Sequence, residues 1–258
     1  MKRFFKLLLS LTGLKVYYYA IKDKYQGKSD KYSKMMEFYS QFLEPRDLVF
    51  DVGANLGNRS DVFLGLGMKV VAVEPQNYCN KYLRVRFGKK IKLVNRALGS
   101  EMGKAIMYTG EHHYLSTISK LWKDKVSKSN RFLNVNWNKT QEVIVTTLEN
   151  LIQEYGKPKF VKIDVEGFEL EVLYGLKTKI DYISFEYTIP EFTQNAIKSI
   201  EYLKSIGNFE CNYSIGESMV MSLDQWVEPD FFIKIIVEDI EINAVSKGFG
   251  DIYVKFVG

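Results

Sequence analysis

Only two cysteines occur in 258 residues, Cys79 and Cys211, far apart and in no metal-type spacing. That scarcity excludes a disulfide scaffold and a zinc site, and makes a reducing cytoplasm the natural setting. Long apolar runs are also missing: Phe4 to Leu9 is too short to span a bilayer, and the continuation to Ala20 is broken by Lys15 and polar residues. The opening resembles a secretory leader, but Leu14 to Ala20 offers no small-x-small cleavage site, which argues against export. A basic footprint spread over the chain is absent too, and with it the expectation of a nucleic-acid partner. The net charge of +5 is concentrated in residues 1–34, where nine Lys or Arg meet only Asp23 and Asp30, leaving the remainder slightly acidic.

What is present suits one large α/β domain with a full core, since 258 residues are too few for two such domains and linkers. Residues 1–44 read as a basic, aromatic N-terminal helical arm, and 45–258 as the main domain with insertions near 100–140 and 217–249. Residues 1–25 of the arm combine apolar and cationic side chains. They suit peripheral contact with an anionic membrane at its inner face, or packing on the domain or a partner. Tyr32, Met35, Met36, Tyr39 and Phe42 recur near helical spacing, predicting an amphipathic helix over 29–43 that faces a core.

The chain is organised around Leu48-Val-Phe-Asp51-Val-Gly53-Ala54-Asn55-Leu-Gly57, a buried strand running into a glycine turn and a helix. Gly53 supplies the sharp turn, and Gly57 lets the first helical turn pack close to the strand or a ligand. Unpaired N–H groups at the helix start suit a carboxylate or phosphate. In the dinucleotide fingerprint Gly-x-Gly-x-x-Gly the second glycine clears room for a pyrophosphate. Asn55 stands there instead, which counts against NAD and leaves a nicotinamide-dependent oxidoreductase as the weaker alternative. Asp51, two residues before Gly53, suits a ligand with an ammonium end, such as S-adenosylmethionine. A second apolar strand, Lys69 to Val73, ends at Glu74, where nucleotide-binding folds place a carboxylate on ribose hydroxyls.

A third segment, Val161-Lys162-Ile-Asp164-Val-Glu166-Gly167-Phe168-Glu169, joins these and the stretches Asn95-Arg-Ala97-Leu98-Gly99 and Val145-Thr-Thr-Leu-Glu149. Together, over roughly residues 45–190, they closely resemble the FkbM family of methyltransferases. The resemblance implies a class I methyltransferase (Rossmann-like) fold, a doubly wound seven-stranded sheet that is mostly parallel with one antiparallel strand. It also implies S-adenosylmethionine as cofactor, O-methyl transfer to a hydroxyl of a saccharide or related natural product, and Asn95 and Ala97 beside the adenine. A non-catalytic nucleoside-binding or scaffold protein on the same fold is the other alternative.

Asp51, Gly53, Ala54, Asn55, Gly57, Glu74, Asn95 and Ala97 are thus the candidate cofactor residues. Asp164 ends the strand Phe160 to Ile163 and should share a crevice with Asp51. Asp164 or Glu166 could take the acceptor's proton, with Asp164 preferred; His113, beside His112, is a further candidate base. The insertion at 100–140 carries Ser116, Thr117, Trp122, Phe132 and Trp137, and between 120 and 139 six basic residues against Asp124 alone. It is the expected acceptor lid, with Ser116, Thr117 and Glu186, the last at the end of a fifth strand, as acceptor contacts. No acid and histidine cluster has metal-type spacing, so no metal is expected. Thr146-Thr-Leu-Glu149 predicts a capping box, and Trp226 to Ile242 a second cover near the acceptor side. The basic arm and lysine-rich insertion suit an acidic or lipid-linked glycan in surface polysaccharide or glycolipid assembly.

Overall fold

The structure, a computed structural model, describes residues 15–25, 29–109, 116–120, 123–124, 139–240 and 248–258. Its frame is a seven-stranded sheet built from β1 (Leu48–Val52), β2 (Lys69–Val73), β3 (Ile91–Val94), β7 (Phe160–Ile163), β8 (Tyr182–Thr188), β9 (Phe209–Ile215) and β10 (Phe249–Phe256). The spatial order is β3-β2-β1-β7-β8-β10-β9. All neighbours run parallel except at β10, which is antiparallel to both β8 and β9. The expected fold is the one observed, including the single reversed strand.

Alternation along the strands divides the core into two layers, because successive side chains leave opposite faces. Phe50, Val161, Ile163 and Phe185 bury one face under α5 (Leu148–Tyr155), α6 (Glu169–Tyr174) and α7 (Thr193–Lys204). Val49, Val70, Phe160 and Tyr253 bury the other against α2 (Asp30–Tyr39), α3 (Asn58–Gly65) and α4 (Asn77–Phe87). Met35, Phe38, Tyr39, Phe42 and Leu43 are buried in this second layer, so the core reaches past the boundary expected at residue 44. Before it, α1 (Lys15–Lys24) packs Val16 and Ala20 against Tyr82.

The described part of the insertion contains regular strands. β4 (Ala97–Leu98), β5 (Gly103–Thr109) and β6 (Lys139–Thr146) form a separate sheet in the order β4-β6-β5, and Thr117 bridges to Tyr108. His112, His113, Trp122, Phe132 and Trp137 lie outside the described residues. The second insertion contains a helix in its described part, and that helix packs on the core. Its helix α8 (Pro229–Ile235) buries Phe232 and Ile235 in the first core layer, and Val227 pairs with Cys211 of the edge strand β9.

The capping box forms differently. Thr147 is the cap of α5 and accepts from the N–H of Asn150 at 3.1 Å. Glu149 turns outward and accepts from the N–H groups of Lys177 and Thr178, both at 2.9 Å, so it caps the next loop rather than its own helix.

Candidate functional site

Strand order reverses between β1 and β7, and connections leaving in opposite directions open a crevice at their carboxyl ends. Backbones meet closely there. A Cβ on Gly53 would stand 1.8 Å from the carbonyl oxygen of Asp164, and φ is +82°, so only glycine fits. The crevice deepens into a cavity of about 450 Å³ lined by Asp51, Gly53, Ala54, Asn55, Glu74, Ala97, Ser116, Asp164, Glu166 and Glu186, among others.

At one end Glu74 is buried and fixed. Its two carboxylate oxygens accept from the N–H groups of Asn55 and Gln76, each at 2.8 Å. Burial pushes the carboxyl up to about 7. Each oxygen retains acceptor capacity, which suits ribose hydroxyls. Ala97, Leu98, Met107 and Ile118 give the adjoining wall an apolar character fit for a base. Asp51, also buried, accepts from the Ser60 hydroxyl at 2.5 Å, and burial raises its pKa.

Several expected contacts are placed otherwise. The Gly53 and Ala54 N–H groups both bond the Val73 carbonyl, and the Gly57 N–H bonds Ala54, so these loop donors are consumed internally. Gly57 serves packing: a Cβ there would lie 2.4 Å from the Phe87 ring. Asn95 is exposed and outside the cavity lining, with its Oδ1 accepting from Asn80 at 2.9 Å. Ser116 lines the cavity beside the loop after β2, donating to Gln76 Oε1 at 3.1 Å. Thr117 is buried behind the wall and donates to the Glu166 carbonyl at 2.7 Å, tying the small sheet to the loop after β7.

At the other end three acids converge. One carboxylate oxygen from each of Asp164, Glu166 and Glu186 lies within 4.8 Å of the others. This spacing would also admit a cation; Asp164 and Glu166 share the loop after β7, and Glu186 joins them from β8. Burial and the neighbouring Asp164 charge raise Glu166 and Glu186 well above the usual carboxylate range. Glu169 holds their loop: its Oε1 accepts from the N–H groups of Val165 and Gly167, each at 3.1 Å.

Sequence reasoning assigned no role to Lys162, which lines the same end and is 1% exposed. Its ammonium reaches Asp251 at 2.9 Å and Asp164 at 3.4 Å. Burial opposes its charge, but Asp164 and Asp251 outweigh that and hold the pKa above the ordinary lysine value. A lysine inside the apolar run Phe160–Ile163 was the available signal, since a buried strand tolerates a charge only when it is paired. Arg59 and Glu217 also line this end without having been expected there.

A doubly wound sheet with one reversed strand, acids at the tips of β1 and β2, and a nucleoside-sized cavity at the switch point define a class I S-adenosylmethionine-dependent methyltransferase. Residues 51–215 match the family described as methyltransferase FkbM domain, and the chain belongs to that family. This overturns the nicotinamide alternative. Among solved structures, similarity extends to precorrin-6y C5,15-methyltransferase from Geobacter metallireducens, at 11% identity over 89% of this chain and 90% of that one, TM-score 0.42. An rRNA methylase from Streptococcus thermophilus shares 12% identity over 90% of this chain and 100% of that one, TM-score 0.44. A Streptococcus mutans protein solved in complex with SAH shares 10% over 90% and 100%, TM-score 0.42. No curated protein matches the chain.

Proposed function

We propose that the enzyme methylates a hydroxyl oxygen of a saccharide or related natural product, with Asp164 as the base. The observation carrying this reading is the convergence of Asp164, Glu166 and Glu186 at the end of the cavity away from Glu74. S-adenosylmethionine, when bound, supplies a methyl group on a sulfonium. The acceptor oxygen would take that methyl group, with S-adenosylhomocysteine as the leaving group, and a carboxylate of this chain would take the hydroxyl proton. What supports Asp164 in this role is that Lys162, anchored on Asp251, holds its carboxylate at the strand tip. The convergence of Glu186 and Glu166 with Asp164 supports a positioning role for them toward neighbouring hydroxyls, suited to a polyol.

The hydroxyl-sized convergence of Asp164, Glu166 and Glu186 at this end supports a small or glycan acceptor over nucleic acid. These acids also favour a neutral, hydroxyl-rich group at the reacting centre, so any acidic part of a glycan lies outside the cavity. We place the reaction in surface polysaccharide or glycolipid assembly on the cytoplasmic side of the membrane. Tyr17, Ile21 and Lys22, exposed on the outer side of α1, support peripheral contact with anionic lipid. Among the described residues no helix is long and apolar enough to cross a membrane.

The test is incubation with S-adenosylmethionine and a panel of mono- and oligosaccharides, followed by mass spectrometry. A gain of one methyl group by a hydroxylated sugar, lost in Asp164→Asn with cofactor binding retained, is expected. Methylation only of a nitrogen or of RNA would overturn the reading. Sedimentation with anionic vesicles at low and high salt checks the arm.

A further inference from the structure

Arg59, in the first turn of α3, lines the cavity beside Asp51 and is the least satisfied cation there. Its side chain is 13% exposed. The Nε is buried with no hydrogen-bond partner. Nη1 lies 2.6 Å from the Met35 thioether, a weak acceptor, and Nη2 meets Glu217 only at 3.4 Å. Glu217 is shared, since its other oxygen is bound by Lys31. A guanidinium carries five donors and is always charged, so this one lacks the planar, two-oxygen partner its shape favours.

The surroundings select among anions. Asp51 from β1, Asp164 after β7, Asp251 from β10 and Glu217 after β9 all act on Arg59 electrostatically, with Lys162 the other cation of this end. A lone anion approaching Arg59 would meet this excess of acids. A group with a carboxylate and an ammonium on the same carbon matches both signs at once. Lying on β1 and on the helix that follows it, Asp51 and Arg59 flank the same glycine turn.

We propose that Arg59 anchors the carboxylate of an α-amino-acid subsite, receiving the methionine end of S-adenosylmethionine while Asp51 faces its ammonium group. The subsite rests on the cavity being the cofactor site, and it fixes the cofactor from the end opposite Glu74. Two anchors at opposite ends would set where along the cavity the sulfonium sits, and hence its distance from Asp164.

Calorimetric titration of the full chain tests this with two probes, S-adenosylhomocysteine and 5′-methylthioadenosine, which keeps the nucleoside and thioether but lacks the amino-acid end. Arg59→Met should weaken S-adenosylhomocysteine about 10- to 100-fold, the range of a lost charged hydrogen bond, and leave 5′-methylthioadenosine within about twofold. Arg59→Lys, which keeps the charge but not the fork, should fall between, guarding against a variant that misfolds. Equal weakening of both probes, or of neither, would overturn the subsite while wild-type binding keeps the cofactor site. A loss confined to glucuronate binding by the S-adenosylhomocysteine-loaded protein would move Arg59 to the acceptor and overturn it as well. Failure of the wild type to bind either probe would overturn the cavity assignment together with the subsite.

Discussion

The two ends of the cavity are built by opposite rules. At the nucleoside end Glu74 is held by two backbone N–H groups, one from each of the two strand-to-helix turns that follow β1 and β2. At the transfer end Glu166 and Glu186 make no side-chain hydrogen bond or ion pair among the described residues, and their neighbours arrive from β7, β8 and β10. The first end is complete before any ligand arrives, whereas the second keeps acceptor and donor capacity in reserve. Binding one invariant cofactor needs a rigid local motif; discriminating an acceptor needs groups whose partner is the acceptor itself.

The contrast breaks most visibly where the two ends touch. Gly53→Ala should cost at least ~3 kcal/mol, from strain at positive φ and a Cβ driven into the Asp164 carbonyl, and urea unfolding measures it. Lys162→Met should cost about 3–5 kcal/mol in the same assay because Asp251 is left buried and unpaired. The double variant Lys162→Met with Asp251→Leu should recover much of that. If it does not, Lys162 acts by more than pairing with Asp251.

Acidity sharpens the comparison next. Glu74 and Glu169, both pushed up to about 7, favour the folded state in their protonated form. Their contribution is full below about 4.5, the ordinary glutamate value, and is lost as pH rises to about 7. Stability of the protein without cofactor should therefore decline across that window, and Glu74→Gln should flatten part of the decline in pH-dependent thermal melts. The same variant should weaken S-adenosylhomocysteine about 10-fold at pH 8, where Glu74 is charged. The smallest effect belongs to Asn95→Ala: bonded to Asn80 outside the cavity, it should leave cofactor affinity within about twofold. A larger loss would return it to the adenine pocket.

The cofactor-binding turns were legible in the sequence because they are local. An apolar run, an acid and a glycine within a few residues define Asp51 and Gly53, and a second run defines Glu74. Misreadings arose where a residue type fits two environments. Asn95 and Thr117 look like ligand contacts by position, yet each spends its side chain on a neighbouring segment. Arg59 and Lys162 went unassigned because their importance lies in what buries them, and Met35, Asp251 and Glu217 are remote in sequence. The acid triad was half visible. Asp164 and Glu166 sit in one motif, but only the pairing of β7 with β8 brings Glu186 to them.

One consequence concerns the making of the protein. The counter-ion of Lys162 lies 89 residues further along the chain, on the reversed strand that slots between β8 and β9. At ~5–20 residues per second, a ribosome takes roughly 4–18 s to bridge that gap. Once β8 has been made, within that gap, it is an open edge with a costly lysine on the strand beside it, so the nascent enzyme has an interval in which chaperones and stray strands compete for the place β10 will take.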